Sequence, residues 1–429
     1  MTHEDETAPT DTASGGAAPR QDRFAVAALL TLLVAFGPMS TDLYLPALPS
    51  IVAHFDSDVP TVQLTLSVFL VGFAVAQLLY GPLSDRFGRR PVILGGIVIF
   101  TLSSIACALA PTVEALIAAR FCQAVGACCG PVLGRAVVRD IYGRDRAATV
   151  LAYMAMAMGV APAIGPVVGG ILTSWFGWTS NFWLLTGFGG AMLTATMIVL
   201  AESNRYLDPT ATQPARLLRN YRTLLSHRPY LVYVAIVACL YSGIFSFISG
   251  SSYVFIDGLG LTPTQFGLCF ASIVVGYMMG SFVAGRVSSR LGVDRMLAIG
   301  LSVCLAGAAP MVVLAATGVF TIMSVIVPFF VFMVGVALSL PNAMAGAVGP
   351  FPRMAGLASS LLGFFQMGTA AIVGIGVGLF TDGSPLPMAA AVFAVALIAA
   401  AARAALSLFP APLDTGQPQD AEETATRNG

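Results

Sequence analysis

The sequence predicts an all-α membrane protein with twelve transmembrane helices in two pseudo-symmetric six-helix bundles. Three observations predict it. Twelve apolar runs are long enough to cross a bilayer, arginines are confined to alternate loops, and a spaced motif recurs after 204 residues. The composition agrees. Hydrophobic residues make up 57% of the 429 and charged residues 10%, with a mean hydropathy of +0.85. Soluble domains carry about 25% charged residues, so this chain has too few to cover a water-facing surface.

A membrane-spanning helix needs about 20 mostly apolar residues. In the first half such runs fall at 24–48, 60–83, 91–110, 113–137, 146–173 and 180–200, and in the second at 229–253, 263–287, 293–315, 318–342, 354–380 and 386–408. The longest polar stretch, 201–228, reads as a linker between bundles 24–200 and 229–408. Residues 1–23 and 409–429 are polar and read as disordered tails. The first tail lacks the basic start and cleavage site of a signal peptide.

Arginine placement gives the orientation. With the N-terminus inside, the inside loops hold Arg86, Arg89, Arg90, Arg139, Arg144, Arg146, the cluster from Arg205 to Arg228, Arg286, Arg290, Arg295 and Arg353. The outside loops hold none. The positive-inside rule therefore places both termini in the cytoplasm, with the cytoplasmic membrane as the location. One missed span would scramble this pattern, so it also supports the helix count.

Composition excludes several classes of function. All 21 basic residues are arginine. A phosphate-binding Walker loop needs a lysine, so the chain is not a standard ATP-driven pump, and Schiff-base chemistry is excluded likewise. His3, His54 and His227 are scattered, which argues against a zinc site. The cysteines (107, 122, 128, 129, 239, 269 and 304) lie in apolar runs and read as small buried hydrophobes. No cofactor is indicated, and zero net charge gives no reason to expect a nucleic-acid partner. An enzyme would need a nucleophile with its base, paired acids or a metal cluster within the spans. None is present, and the chain reads as no enzyme.

Gly81, Ser84, Arg86 and Gly88, at the end of the second run, recur as Gly285, Ser288, Arg290 and Gly292 at the end of the eighth. Duplicated six-helix units are a common transporter plan, with the binding site between them. The first copy, Gly81-Pro82-Leu83-Ser84-Asp85-Arg86-Phe87-Gly88-Arg89-Arg90, resembles the loop 2–3 signature of the major facilitator superfamily. That resemblance covers 24–408 and implies that Gly81, Asp85, Arg86, Gly88, Arg89 and Arg90 latch the two halves on the cytoplasmic side. A plain arginine loop would not need Asp85 and both glycines at this spacing. The second copy has Ser289 at the place of Asp85 and Asp294 at the place of Arg90, so only the first reads as a latch.

Two charges lie within the spans. Arg120, followed by Gln123 and Gly126, resembles the superfamily's helix 4 motif, and an arginine at such depth is usually functional. Asp42 is the acid set well inside a run, whereas Glu114 and Asp140 sit at helix ends, where solvation is expected. Asp42 and Arg120 each lie roughly 10 Å below the outer surface at about 1.5 Å per residue. Equal depth allows them to pair. The string Asp42-Leu43-Tyr44-Leu45-Pro46-Ala47-Leu48-Pro49 resembles the Bcr/CflA branch of drug:proton antiporters. That resemblance implies proton coupling at Asp42 with Arg120. A carboxyl group moved between apolar and arginine-lined surroundings changes its affinity for a proton.

Pro162, Gly165, Pro166, Gly169 and Gly170 in the fifth run resemble the family's antiporter motif, with Ala161 where many antiporters have glycine. Prolines bend the helix and glycines let it pack closely. Gly126, Gly130 and Gly134 add a small-residue packing ridge. Tyr44, Gln63, Gln77, Gln123, Tyr241, Phe245, Asn342 and Gln366 are candidate cavity residues. The expected function is proton-coupled export of small-molecule drugs or related toxic compounds by a monomer in the lipid bilayer, exchanging substrate for protons. The alternative is a proton-coupled importer of a small metabolite, against which the fifth-run motif speaks. A simple pore would need neither duplicated halves nor a latch loop.

Overall fold

A computed structural model describes residues 23–142, 144–204, 206–351, 354–380 and 383–406. The tails read at 1–23 and 409–429 lie outside these residues, except Arg23, which opens the first helix. Among the described residues, twelve helices are long and apolar enough to cross a membrane. They are α1 (Phe24–Phe55), α2 (Val59–Phe87), α3 (Arg89–Ala108), α4 (Val113–Ile141), α5 (Thr149–Phe176) and α6 (Thr179–Val199), followed by α7 (Arg228–Gly258), α8 (Pro263–Ser288), α9 (Val293–Ala316), α10 (Ile322–Val348), α11 (Ala355–Leu379) and α12 (Leu386–Ala405).

Local chemistry sets the ends. The Asp58 carboxylate accepts from the Thr61 N–H (2.6 Å) and caps α2. Thr262 and Gln265 form a reciprocal capping box on α8. The repeat read in the sequence reappears in the backbone. Gly88 and Gly292 have φ of 97° and 77°, conformations that favour glycine. Their N–H groups donate to the carbonyls of Ser84 (3.1 Å) and Ser288 (2.9 Å). Each glycine thus turns one helix directly into the next.

The packing follows a two-fold plan. Within the first half α2 packs on α4, α3 on α4 and α6, and α1 on α5; α8, α10, α9, α12, α7 and α11 repeat these pairings. Two seams join the halves, α2 against α11 and α5 against α8. Large apolar side chains such as Leu102, Ile198, Phe282 and Ile372 stand exposed on the outside, as a bilayer-facing surface requires.

The structure corrects the sequence reading at several places. α1 extends to Phe55 instead of ending near residue 48, because it continues through a 3-10 turn at Leu45–Ala47. α10 starts at Ile322, four residues later than read, where Thr321 and Ser324 cap it. The linker contains a helix, Pro214–Leu225, packed on α7 and α11. Cys122 is exposed and Cys269 half-buried, so the expectation of buried thiols holds for the other five.

Candidate functional site

Pro46 has no N–H to offer the carbonyl of Asp42, so the helical part of α1 that begins at Phe36 ends at Asp42. Helix ends leave carbonyls without intrahelical partners. The Ser40 carbonyl accepts from the Arg120 guanidinium at 2.9 Å. Arg120 also donates to the Gln123 side-chain oxygen at 2.6 Å, and Gln123 donates on to Ser104 at 2.8 Å. The guanidinium lies 4.6 Å from the Tyr44 ring centre and 4.3 Å from that of Phe69. Tyr44 is fixed in turn by a hydrogen bond to Thr65. Arg120 is fully buried, its charge shared between a carbonyl, an amide oxygen and two aromatic faces.

Asp42 is 3% exposed and accepts from the Thr41 hydroxyl at 3.1 Å. The direct pair with Arg120 read from equal depth is absent. Depth along two helices does not set rotation about their axes, and Arg120 is turned onto the backbone of Ser40. Among the described residues Asp42 has no cationic partner. Tyr241 lies on α7 and is half-buried.

The α5 motif presses on this segment. A Cβ on Gly165 would sit 3.1 Å from the Asp42 Cβ, and one on Gly169 would overlap the Leu43 carbonyl oxygen. Gly170 faces the other half, against the Pro263 carbonyl of α8, and Gly267 of α8 answers it against the Pro166 carbonyl. One helix thus touches both Asp42 and the seam.

At the arginine-rich end, the loop 2–3 residues form a network with the rest of the first half and with the linker. Arg89 pairs with Asp85 (2.6 Å) and Asp140 (3.2 Å) and also donates to Ser84. Arg90 donates to the Met197 carbonyl at the end of α6 (3.0 Å), and Arg86 to Thr212 of the linker (2.7 Å). Asp140, read as a solvated end residue, is a member of this network and also holds Ser203 at 3.2 Å. The sequence reading missed Glu202. Its two carboxylate oxygens accept from the Arg89 N–H (2.9 Å) and the Arg90 N–H (3.1 Å), capping α3 from 113 and 112 residues away. No local signal marks such a cap. Replacing Glu202 with alanine is expected to destabilise the protein by about 1 kcal/mol, the usual worth of a cap, seen as a lower thermal midpoint in detergent.

The candidate cavity residues are dispersed. Gln63 donates to the Ser249 carbonyl of α7 at 2.9 Å. Gln77 and Phe245 abut Gly363 and Gly374 of α11. Asn342 ties α10 to Ser288 of α8 (3.3 Å), and Gln366 is buried on α11. Tyr44 and Gln123 serve Arg120. A cavity of about 480 Å³ opens elsewhere, at the arginine-rich end between α2, α4, the linker and the start of α11, and none of the eight lines it. The halves meet at the other end, where Gly170 and Gly267 cross and Ser174 lies 3.4 Å from Thr264.

The sequence matches the Major Facilitator Superfamily over residues 30–375. It is 31% identical to an uncharacterized transporter of this type, YdgK, from Bacillus subtilis, covering 88% of this chain and 94% of that one. It is 30% identical to multidrug resistance protein D of Escherichia coli (81% and 86% covered) and 31% identical to a chloramphenicol resistance protein of Pseudomonas aeruginosa (82% and 84%). Among solved structures, a D-xylose–proton symporter superposes with a TM-score of 0.72 at 15% identity, over 89% of this chain and 97% of the other. That likeness concerns the fold.

Proposed function

The chain belongs to the major facilitator superfamily, and from that premise we propose that it is a drug:proton antiporter of the Bcr/CflA type, exporting small toxic compounds across the cytoplasmic membrane. The observation that carries the proposal is Asp42, buried without a countercharge among the described residues and packed against Gly165 on the helix that forms the seam. An ionised carboxylate stripped of water and given no partner is costly. Closure around Asp42 is therefore linked to its proton occupancy. The relatives named for multidrug and chloramphenicol resistance support export as the direction.

In this reading the arginine-rich end is cytoplasmic, as are both termini, and the arrangement is open inward. The halves 24–200 and 229–408 rock about the α2–α11 and α5–α8 seams, as monomers in the bilayer. Asp42 takes a proton from outside and gives it up inside, while Arg120 fixes the backbone that carries Asp42. In the outward-open form the inner ends close, and Asp85 reaches the start of α11 as a latch. Asp85 lines one cavity with Met354 and with Ala355, Gly356, Leu357, Ser359 and Ser360 at the start of α11, and a carboxylate at a helix N-terminus is stabilising.

The test uses a drug panel in a strain lacking its own pumps, then purified protein in weak buffer. Compounds to which the protein confers resistance are expected to release protons on binding. Resistance without proton release would refute antiport.

A further inference from the structure

The cavity at the arginine-rich end has a chemical bias that the transport reading leaves unused. Its lining includes Arg135 and Arg139, one turn apart on α4. Neither has a hydrogen-bond or ion-pair partner among the described residues. Among the described residues the acids here are engaged: Asp85, in the lining, and Asp140 hold Arg89, and Asp208, also in the lining, accepts from the N–H and hydroxyl of Thr210 at 2.9 and 2.6 Å. Like charges at this spacing on a helix repel. Orientation alone would be served by arginines facing the headgroups, yet these two face a space between the halves. Across it lies the start of α11, with Ser359 and Ser360 and an N-terminal turn that no side chain caps among the described residues. The rest of the wall is mixed: Leu78, Leu133, Leu151, Leu217 and Leu357 supply an apolar part, beside Ser84, Asp85, Arg89, Asp208 and Asn220.

We propose that this cavity binds an amphiphilic anion. A carboxylate or phosphate head lies between the Arg135–Arg139 pair and the start of α11, and an apolar body lies against the leucines. An anion there neutralises the repelling pair and bridges the two halves at their open end. That the bound anion is cargo rests on the exporter reading; that it binds does not. The same chemistry is found in a dissolved acidic amphiphile and in an anionic phospholipid, since basic pockets between helices also take lipid headgroups.

The experiment measures decyl phosphate binding to the purified full-length protein by calorimetry, with decanol as the uncharged control. The wild type is expected to bind decyl phosphate at least tenfold more tightly, with the preference falling as salt rises. The R135Q/R139Q double variant loses the preference and R135K/R139K keeps most of it. R286Q/R295Q, which removes two charges at the same end but outside the cavity, behaves as wild type. Thermal unfolding checks that each variant is folded, and the single R135Q and R139Q changes replace the double if it is not. A wild type without the preference, or a folded R135Q/R139Q that retains it, overturns the proposal. Nanodiscs of phosphatidylcholine with and without phosphatidylglycerol separate the sources. Competition by phosphatidylglycerol assigns the site to a lipid headgroup, and unchanged affinity assigns it to the dissolved amphiphile. Because binding is read directly, a protein that binds decyl phosphate but releases no protons would refute the antiport reading and leave this site standing.

Discussion

An Asp42→Asn variant is expected to insert and unfold like the wild type and to lose at least nine-tenths of its pH-gradient-driven export. Asparagine has nearly the same volume, and its oxygen can still accept from the Thr41 hydroxyl. It neither binds nor releases a proton. The Arg120 cluster contacts the Ser40 carbonyl and not the Asp42 carboxylate, so the substitution leaves that framework whole. Drug binding in detergent is therefore expected to persist while drug-induced proton release disappears. In proteoliposomes, downhill exchange of drug for drug continues and uphill efflux against an imposed pH gradient stops. Full gradient-driven efflux in the variant would move the proton step to another residue.

Twelve spans were legible because each bilayer crossing needs a long apolar run. The boundaries that hydropathy misplaced have specific causes. The first run reads as ending at residue 48, yet Pro46 only breaks α1 at Asp42 before it resumes, with Pro49 in the first turn of the continuation. Val319 and Phe320 are apolar but lie in the turn before α10, and the Thr321–Ser324 cap is the truer signal. The partners of Asp42 and Arg120 were not legible, because spacing along two helices gives depth without rotation. Glu202 was hidden for another reason, since its hydrogen bonds span more than a hundred residues. Arg139 read as an inside-loop arginine, and nothing in spacing says that it and Arg135 face a cavity.

Adjacent glycines of the α5 motif are expected to fail in different ways. A Cβ at position 169 would overlap the Leu43 carbonyl oxygen. Both α1 and α5 belong to the same bundle, so no rocking motion relieves the clash. Gly169→Ala must push the Asp42 segment off its seat, at about 1–3 kcal/mol or more. It is expected to lower both the thermal midpoint and the folded yield and to abolish export. A Cβ at position 170 would instead meet the Pro263 carbonyl, across the seam between halves. That clash vanishes if α5 and α8 part at the arginine-free end. Gly170→Ala is therefore expected to fold in near-normal yield and to shift the population towards the form open at that end. Spin labels at positions 176 and 268, both exposed and one on each helix, measure the shift as a longer distance. If the two variants were equally unstable, the α5–α8 contact would be as permanent as the α1–α5 contact, and the halves would not rock about this seam. If the predicted split is found, one motif serves two equilibria: Gly169 fixes where Asp42 sits, and Gly170 permits the closure of the seam.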